Sequence, residues 1–291
     1  METTLYLSDL DGTLLDREAR LPLRDAERIN RMTAAGVRIA FATARTVRSV
    51  STILSAVDFS LPGCAPAALM NGTMIRDMRE NRYLSVEKIA PDAVSRILGA
   101  LDEVGAEPFV YTVDEDHPVK GDPLVTSCRK ATNAAMRRFM DERVEKYGKP
   151  FLRFSSPDDL PGETVYFCVL GWEELIRSAA RCTESVPGTR QTFYRDAYQP
   201  DVWYLEIFPE TASKRRAAEF LRSWTGADRV VAFGDNRNDL PMFEAADVSV
   251  VVSSAQEEVR EAADDVCENV TDWILADLSR HSPGASVPAE Q

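Results

Sequence analysis

Asp9 and Asp11 stand two residues apart in Ser8-Asp9-Leu10-Asp11-Gly12-Thr13, a polar, glycine-containing turn that follows the apolar run Leu5-Tyr6-Leu7. Two carboxylates so spaced in a loop leaving a strand can turn one side chain toward a substrate and the other toward its leaving group. A third acid, Asp235, lies in Gly234-Asp235-Asn236-Arg237-Asn238-Asp239, directly after the apolar residues 229–233. Packed carboxylates repel one another. A hard divalent cation with oxygen ligands, Mg²⁺ above all, would make the group tolerable and would neutralise an incoming phosphate. Lys214, after Thr211-Ala212-Ser213, brings a cation to the expected beginning of a helix, which is a ready phosphate clamp. The chain holds only two histidines, His117 and His281, so Ser-His-Asp, Cys-His and multi-histidine metal chemistry are nearly removed.

These side chains need elements to bring them together. Residues 5–7 read as a strand. An amphipathic stretch at 25–35, with Ala26, Ile29 and Met32 inward, reads as a helix ended by Gly36. Residues 37–41 form a second strand that stops at Ala42-Thr43-Ala44-Arg45, and 46–57 form a second helix. The pattern returns late, with a helix at 211–224, a strand at 229–233, a helix at 240–245 and a strand at 248–252. Alternating strands and helices predict a parallel sheet with helices on its faces. Ligands bind outside the carboxyl ends of such strands, and the clusters at Asp9/Asp11, Thr43 and Asp235/Asn238/Asp239 all fall there. The middle differs: helices at 91–104, 133–147 and 172–185 mix with strands at 109–113, 164–170, 191–195 and 203–207, as in a separate α+β unit inserted into the α/β domain. The small, polar, proline-containing residues after Leu278 read as a disordered tail.

Composition narrows the field. In 291 residues, 44% apolar and 28% charged side chains are ordinary for a globular protein with a real core. The net charge of −13 argues against nucleic acid as a partner. No apolar run is long enough for a membrane span, and the first residues lack the basic region of a signal peptide. Five cysteines without C-x-x-C spacing read as reduced thiols, so a cytoplasmic location is expected.

Asp9-Leu-Asp-Gly-Thr-Leu-Leu15, Ala42-Thr-Ala-Arg45, Lys214 and Gly234-Asp-Asn-Arg-Asn-Asp239 together resemble the four motifs of the haloacid dehalogenase (HAD) superfamily of phosphohydrolases. The long insert resembles the C2-type cap of its Cof-like, sugar-phosphatase branch. The resemblance implies a Rossmann-like α/β core over 1–83 and 207–278 and an inserted α+β cap over 84–206 that sets specificity, which leaves the tail at 279–291 outside it. It implies that Asp9 is the nucleophile forming an aspartyl-phosphate, and that Asp11 protonates the leaving alcohol and then serves as base for water. Thr43, Ala44, Lys214 and Asn238 would hold the phosphoryl group. Asp9, the Asp11 carbonyl and Asp235 would bind Mg²⁺, with Gly12, Arg45 and Asp239 in support. Arg45 either touches the phosphate or pairs with an acid.

The chain departs from the family pattern in three places. Ala44 replaces a usual glycine and narrows the backbone's approach to substrate, Ser253-Ser254-Ala255 replaces Gly-Asn-Ala, and Thr271-Asp272-Trp273 replaces a glycine-containing segment. None removes a catalytic group.

In the insert, Arg153, Tyr166, Tyr194, Arg195, Tyr198 and Trp203 are candidate readers of the leaving group, although each is individually more common as packing or surface. The basic residues from Arg129 to Lys146 read as a solvated helix face, Glu206 as a stabiliser of the core–cap hinge and His117 as a surface residue. The expected activity is Mg²⁺-dependent hydrolysis of a small phosphorylated metabolite, a sugar phosphate first, by a monomer or homodimer. A phosphomutase of the same fold, or a non-catalytic phosphoryl-ligand-binding regulator, would use the same fold and site. A pure binder, however, has no need of a nucleophile beside an acid/base.

Overall fold

The computed structural model describes residues 3–116, 118, 122–196 and 199–281. The first elements are β1 (Thr4–Ser8), α1 (Leu23–Ala34), β2 (Arg38–Phe41), α2 (Val47–Ile53), β3 (Ala67–Leu69), β4 (Met74–Asp77) and β5 (Arg82–Val86). Next come α3 (Pro91–Glu103), β6 (Pro108–Val113), β7 (Leu124–Ser127), α4 (Ala134–Tyr147), β8 (Glu163–Gly171), α5 (Glu173–Thr183), β9 (Thr189–Arg195) and β10 (Trp203–Pro209). The chain then continues with α6 (Lys214–Thr225), β11 (Arg229–Gly234), α7 (Leu240–Phe243), β12 (Val248–Val252), α8 (Glu257–Glu261), β13 (Asp265–Cys267) and α9 (Val270–His281). Two compact units result. One joins Met1–Ser85 to Ala212–Gln291, and the other is Val86–Thr211.

The first unit is a Rossmann-like α/β fold. Its parallel sheet has the order β13-β12-β11-β1-β2, so β1 lies at the interior with a partner on each side. Ser8 is level with both Phe41 and Phe233, which fixes where the three strands end. The ladder closes with Asp9 N–H donating to Phe233 O and Ala42 N–H to Ser8 O, both at 2.9 Å. Leu5, Leu7, Ala40, Val230, Ala232 and Val251 bury one face against Ala217, Ala218 and Leu221 of α6. That is the apolar stripe a helix must bury against a sheet.

α6 begins at Lys214 rather than at Thr211, because the Ser213 hydroxyl accepts the Arg216 N–H at 3.1 Å and caps the helix there. α1 starts two residues earlier than residue 25, directly after Pro22. α2 is shorter than 46–57, ending at Ile53 with turns beyond it. The strands β4, β5, β7 and β13 have no counterpart in the sequence expectations. α9 runs through His281, so residues 279–281, expected in a disordered tail, are helical. Residues 282–291 lie outside the described residues.

The second unit carries the antiparallel sheet β7-β6-β8-β10-β9. One face packs Val110, Phe167, Val169, Leu205 and Ile207 against Ile97 and Leu101 of α3 and Ile176 and Ala179 of α5. The register puts Phe109, Tyr111, Tyr166, Cys168, Tyr204 and Glu206 on the other face, where Phe139 of α4 stacks on Phe109 at 4.8 Å. Glu206 is not at a chain crossing. It sits mid-strand between Cys168 and Thr192, accepts the Tyr194 hydroxyl at 3.1 Å, and so belongs to this sheet rather than to a hinge.

Candidate active site

Three loops leave the carboxyl ends of β1, β2 and β11 side by side. In the first, the amides of Thr13, Leu14 and Leu15 all turn back onto Leu10 O, winding the chain tightly after Asp9. Gly12 has φ +80°, and a Cβ built on it would lie 2.3 Å from Asp235 Oδ2, so only glycine allows the first and third loops to approach this closely. Thr13 fastens the same contact, its hydroxyl donating to Asp235 Oδ1 at 3.1 Å.

Lys214 is the centre of the charge arrangement. Its ammonium lies 2.5 Å from Asp9 Oδ1 and 2.6 Å from Asp239 Oδ1, and its side chain is only 1% exposed. Asp239 is held from its other oxygen: Oδ2 accepts the backbone N–H groups of Asp235 and Asn236, each at 3.0 Å. Burial is the largest influence on Asp9 and pushes its carboxyl well above the ordinary range; Lys214 opposes this, and Asp239, Asp11 and Asp235 add to it. Asp235 is pushed up to about 6, mainly by burial and then by Asp239, against the Thr13 hydroxyl and Lys214. Burial works against the Lys214 charge, but Asp239 and Asp9 outweigh it and hold the ammonium above its usual range.

One oxygen from each of Asp9, Asp235 and Asp239 falls within 4.8 Å of the others. Two of these carboxylates share one ammonium and the third has none, which leaves an excess of negative charge among hard oxygen donors. That donor set fits Mg²⁺. The Asp11 carboxylate is not among the three, although it is near enough to raise both Asp9 and Asp235.

Arg45 accounts for where Asp11 is held. Its Nε and Nη2 donate to the two Asp11 oxygens at 2.6 and 2.5 Å. Of the two roles left open for Arg45, this structure displays the pairing with an acid. Thr43 is buried, donates its N–H to Ala68 O at 2.9 Å, and accepts the Arg45 N–H on its hydroxyl at 3.1 Å. Ala44 occupies the half-buried bend between them. Asn238 donates to Asn71 Oδ1 at 3.4 Å.

Asn71 and Thr13 are site residues the motifs did not single out. Asn71 could have been found only by asking where its turn leads. Met70, Asn71 and Gly72 all take positive φ, and a Cβ on Gly72 would meet Ser213 O at 2.3 Å, so the turn presses against the residue that precedes Lys214. Of the residues proposed to read the leaving group, Tyr166 is buried, Arg153 donates to Arg129 O, Arg195 to Pro200 O, and Tyr194 to Glu206. Trp203 is half-buried against Phe193. Tyr198 and His117 lie outside the described residues.

The model of the haloacid dehalogenase-like hydrolases matches residues 6–274. The chain belongs to this family. The hydrolase is therefore an enzyme, and its relatives place it in the Cof-like branch expected from the motifs. It is 26% identical to the 5-amino-6-(5-phospho-D-ribitylamino)uracil phosphatase YwtE of Bacillus subtilis, over 87% of this chain and 88% of the relative. It is 25% identical to the pyridoxal phosphate phosphatase YbhA of Escherichia coli, over 97% and 99%. The crystal structure of a haloacid dehalogenase-like hydrolase from Bacteroides thetaiotaomicron superposes with a TM-score of 0.75 at 18% identity, covering 95% of this chain and 100% of that one. Among the described residues no helix is long and apolar enough to cross a membrane.

Proposed function

We propose that the hydrolase is a Mg²⁺-dependent phosphatase that removes phosphate from a small phosphorylated metabolite, a sugar phosphate or a similar primary-alcohol phosphate. The observation that carries this reading is the buried Asp9, held by an ammonium shared with Asp239 and flanked by Asp235. A solvated acidic patch would not bury two carboxylates on one lysine with a third half-buried beside them. The two curated relatives above, named for dephosphorylating a phosphoribityl compound and pyridoxal phosphate, support the same reaction class.

In this reading Asp9 attacks phosphorus, and the bond from phosphorus to the alcohol oxygen breaks as Asp11 gives that oxygen a proton. Water then attacks the aspartyl-phosphate. Asp11 takes its proton, inorganic phosphate leaves, and the Asp9 carboxylate is restored. Lys214 spends two of its three N–H groups on Asp9 and Asp239, and the third is directed to a phosphoryl oxygen. Thr43, already accepting from Arg45 N–H, has its hydroxyl proton to donate to another. Asp9, Asp235 and the Asp11 carbonyl would hold Mg²⁺, which when bound supplies positive charge against the substrate phosphate. Asp239 orients Lys214. The acidic balance and five cysteines free of disulfides fit a cytoplasmic enzyme.

The test is phosphate release from a panel of phosphorylated metabolites, with and without Mg²⁺, beside Asp9→Asn. Metal-dependent release that the substitution abolishes is expected. A folded protein that binds Mg²⁺ and releases nothing from any compound would refute the phosphatase assignment.

A further inference from the structure

The geometry points to Arg45 as a positioning residue for Asp11, one that keeps this carboxylate out of the acidic cluster and directs it to the leaving group. This rests on the phosphatase reading above.

Asp11 has two competing destinations. Three neighbouring carboxylates gather their oxygens within 4.8 Å, and a divalent cation there would draw a fourth. An acid/base group consumed as a metal ligand can no longer give or take a proton at the alcohol oxygen. Arg45 supplies the counter-attraction, a two-pronged grip on both Asp11 oxygens at 2.6 and 2.5 Å. Bidentate pairing of this kind fixes orientation as well as distance.

The grip is itself anchored. Arg45 Nη1 donates to the buried Ser49 Oγ at 2.9 Å, one turn further along the chain. Its backbone N–H binds Thr43 Oγ1 at 3.1 Å and its carbonyl accepts the Met70 N–H at 3.2 Å, so the residue is tied into its own loop and to the turn at Met70. The Arg45 side chain is 18% exposed against 37% for Asp11, so the clamp is the fixed partner and the carboxylate the one facing solvent. A guanidinium aimed at the phosphate would have no reason to spend two prongs on an acid.

The leaving group discriminates between the roles. Departure of an acidic phenol needs no proton, whereas departure of an alkyl alcohol does. The quantity to measure is kcat/KM, which reports the step in which the P–O bond breaks and not the later hydrolysis of the aspartyl-phosphate. Arg45→Met and Arg45→Lys would be assayed with p-nitrophenyl phosphate and with a hexose 6-phosphate, beside thermal unfolding to verify the fold. The expected result for Arg45→Met is a loss of about 100-fold on the hexose phosphate and only a few-fold on the aryl phosphate. Arg45→Lys, which keeps the charge but not the fork, should restore little of the difference. An equal loss on both compounds, carried by KM and recovered by lysine, would make Arg45 a phosphate ligand. No loss on either would make the pair a passive surface contact, and each of these results overturns the assignment. A wild-type enzyme inactive on both compounds would instead refute the phosphatase reading, and this role with it.

Discussion

Removing the Lys214 charge tests the electrostatic account of the site most directly. Lys214→Met keeps the length and apolar stem of the side chain, but leaves Asp9 and Asp239 buried with no cation, where each now has the ammonium at 2.5 and 2.6 Å. Breaking a buried pair by deleting one partner costs about 3 to 5 kcal/mol, a large part of the roughly 5 to 15 kcal/mol that stabilises a typical domain. At about 2 to 4 °C per kcal/mol for a unit of this size, the unfolding midpoint should fall by about 10 °C at neutral pH. The pH dependence carries the sharper prediction. Lys214 is the main influence holding the Asp9 carboxyl down against burial, so its loss moves that group further up. An acid whose folded pKa lies above its unfolded value destabilises the fold at higher pH, and the penalty is relieved as pH falls through the folded value. The deficit of the variant should therefore shrink on acidification from neutral pH, followed by circular dichroism melts of wild type and variant across the range. Adding Asp239→Asn to the variant should recover part of the loss. A midpoint within a degree or two of wild type, or a deficit that grows on acidification, would refute the idea that Lys214 neutralises these two acids.

Four shorter tests follow. Gly12→Ala puts a Cβ on the Asp235 carboxylate and demands φ +80° of alanine; beyond about 1 to 2 kcal/mol of backbone strain, kcat/KM should fall about 10- to 100-fold by steady-state kinetics. Chelation should abolish phosphate release, and added Mg²⁺ should restore it. Burial pushes Asp235 up to about 6 and raises Asp9 as well, so protons compete with the cation for both carboxylates; isothermal titration should show Mg²⁺ affinity weakening as pH falls through the range in which they take up protons. Away from the site, Tyr6→Phe removes the 2.8 Å bond to buried Asp277, and chemical denaturation should show a loss of about 1.5 to 3 kcal/mol with kcat unchanged. Burial works against the Asp277 charge, but Arg229 and Tyr6 hold its carboxyl below the usual range, so its stabilisation is complete at neutral pH and fades only as acid protonates it.

Some of these residues were legible because their chemistry is written locally. Asp9, Asp11 and Asp235 stand in polar turns at the ends of apolar runs, and strand-end geometry does the rest. Lys214 was legible as a helix-start cation, but its capture of both Asp9 and Asp239 was not, because those contacts join residues 205 and 25 positions apart. Asn71 and the role of Thr13 stayed hidden because their contacts arise where separate loops meet. The stretch from Met74 to Val86 escaped notice as a hairpin because polar residues 77–82 interrupt any alternation, and β7 is four residues long with no period to read. The helix boundary at Lys214 turned on the single hydroxyl of Ser213.

The position of β1 also has a consequence for synthesis. β1 needs a neighbour on each side; β2 emerges from the ribosome soon after it, but β11 follows only after the whole of Val86–Thr211. Until then the first strand offers an open row of amides and carbonyls, the kind of edge that recruits the wrong chain. The nascent protein thus passes through a stage in which its inserted unit can fold while the strand that leads into Asp9 waits for a partner. Sequence changes that leave the finished enzyme untouched but slow translation between β2 and β11 would lengthen that wait, lowering yield rather than activity.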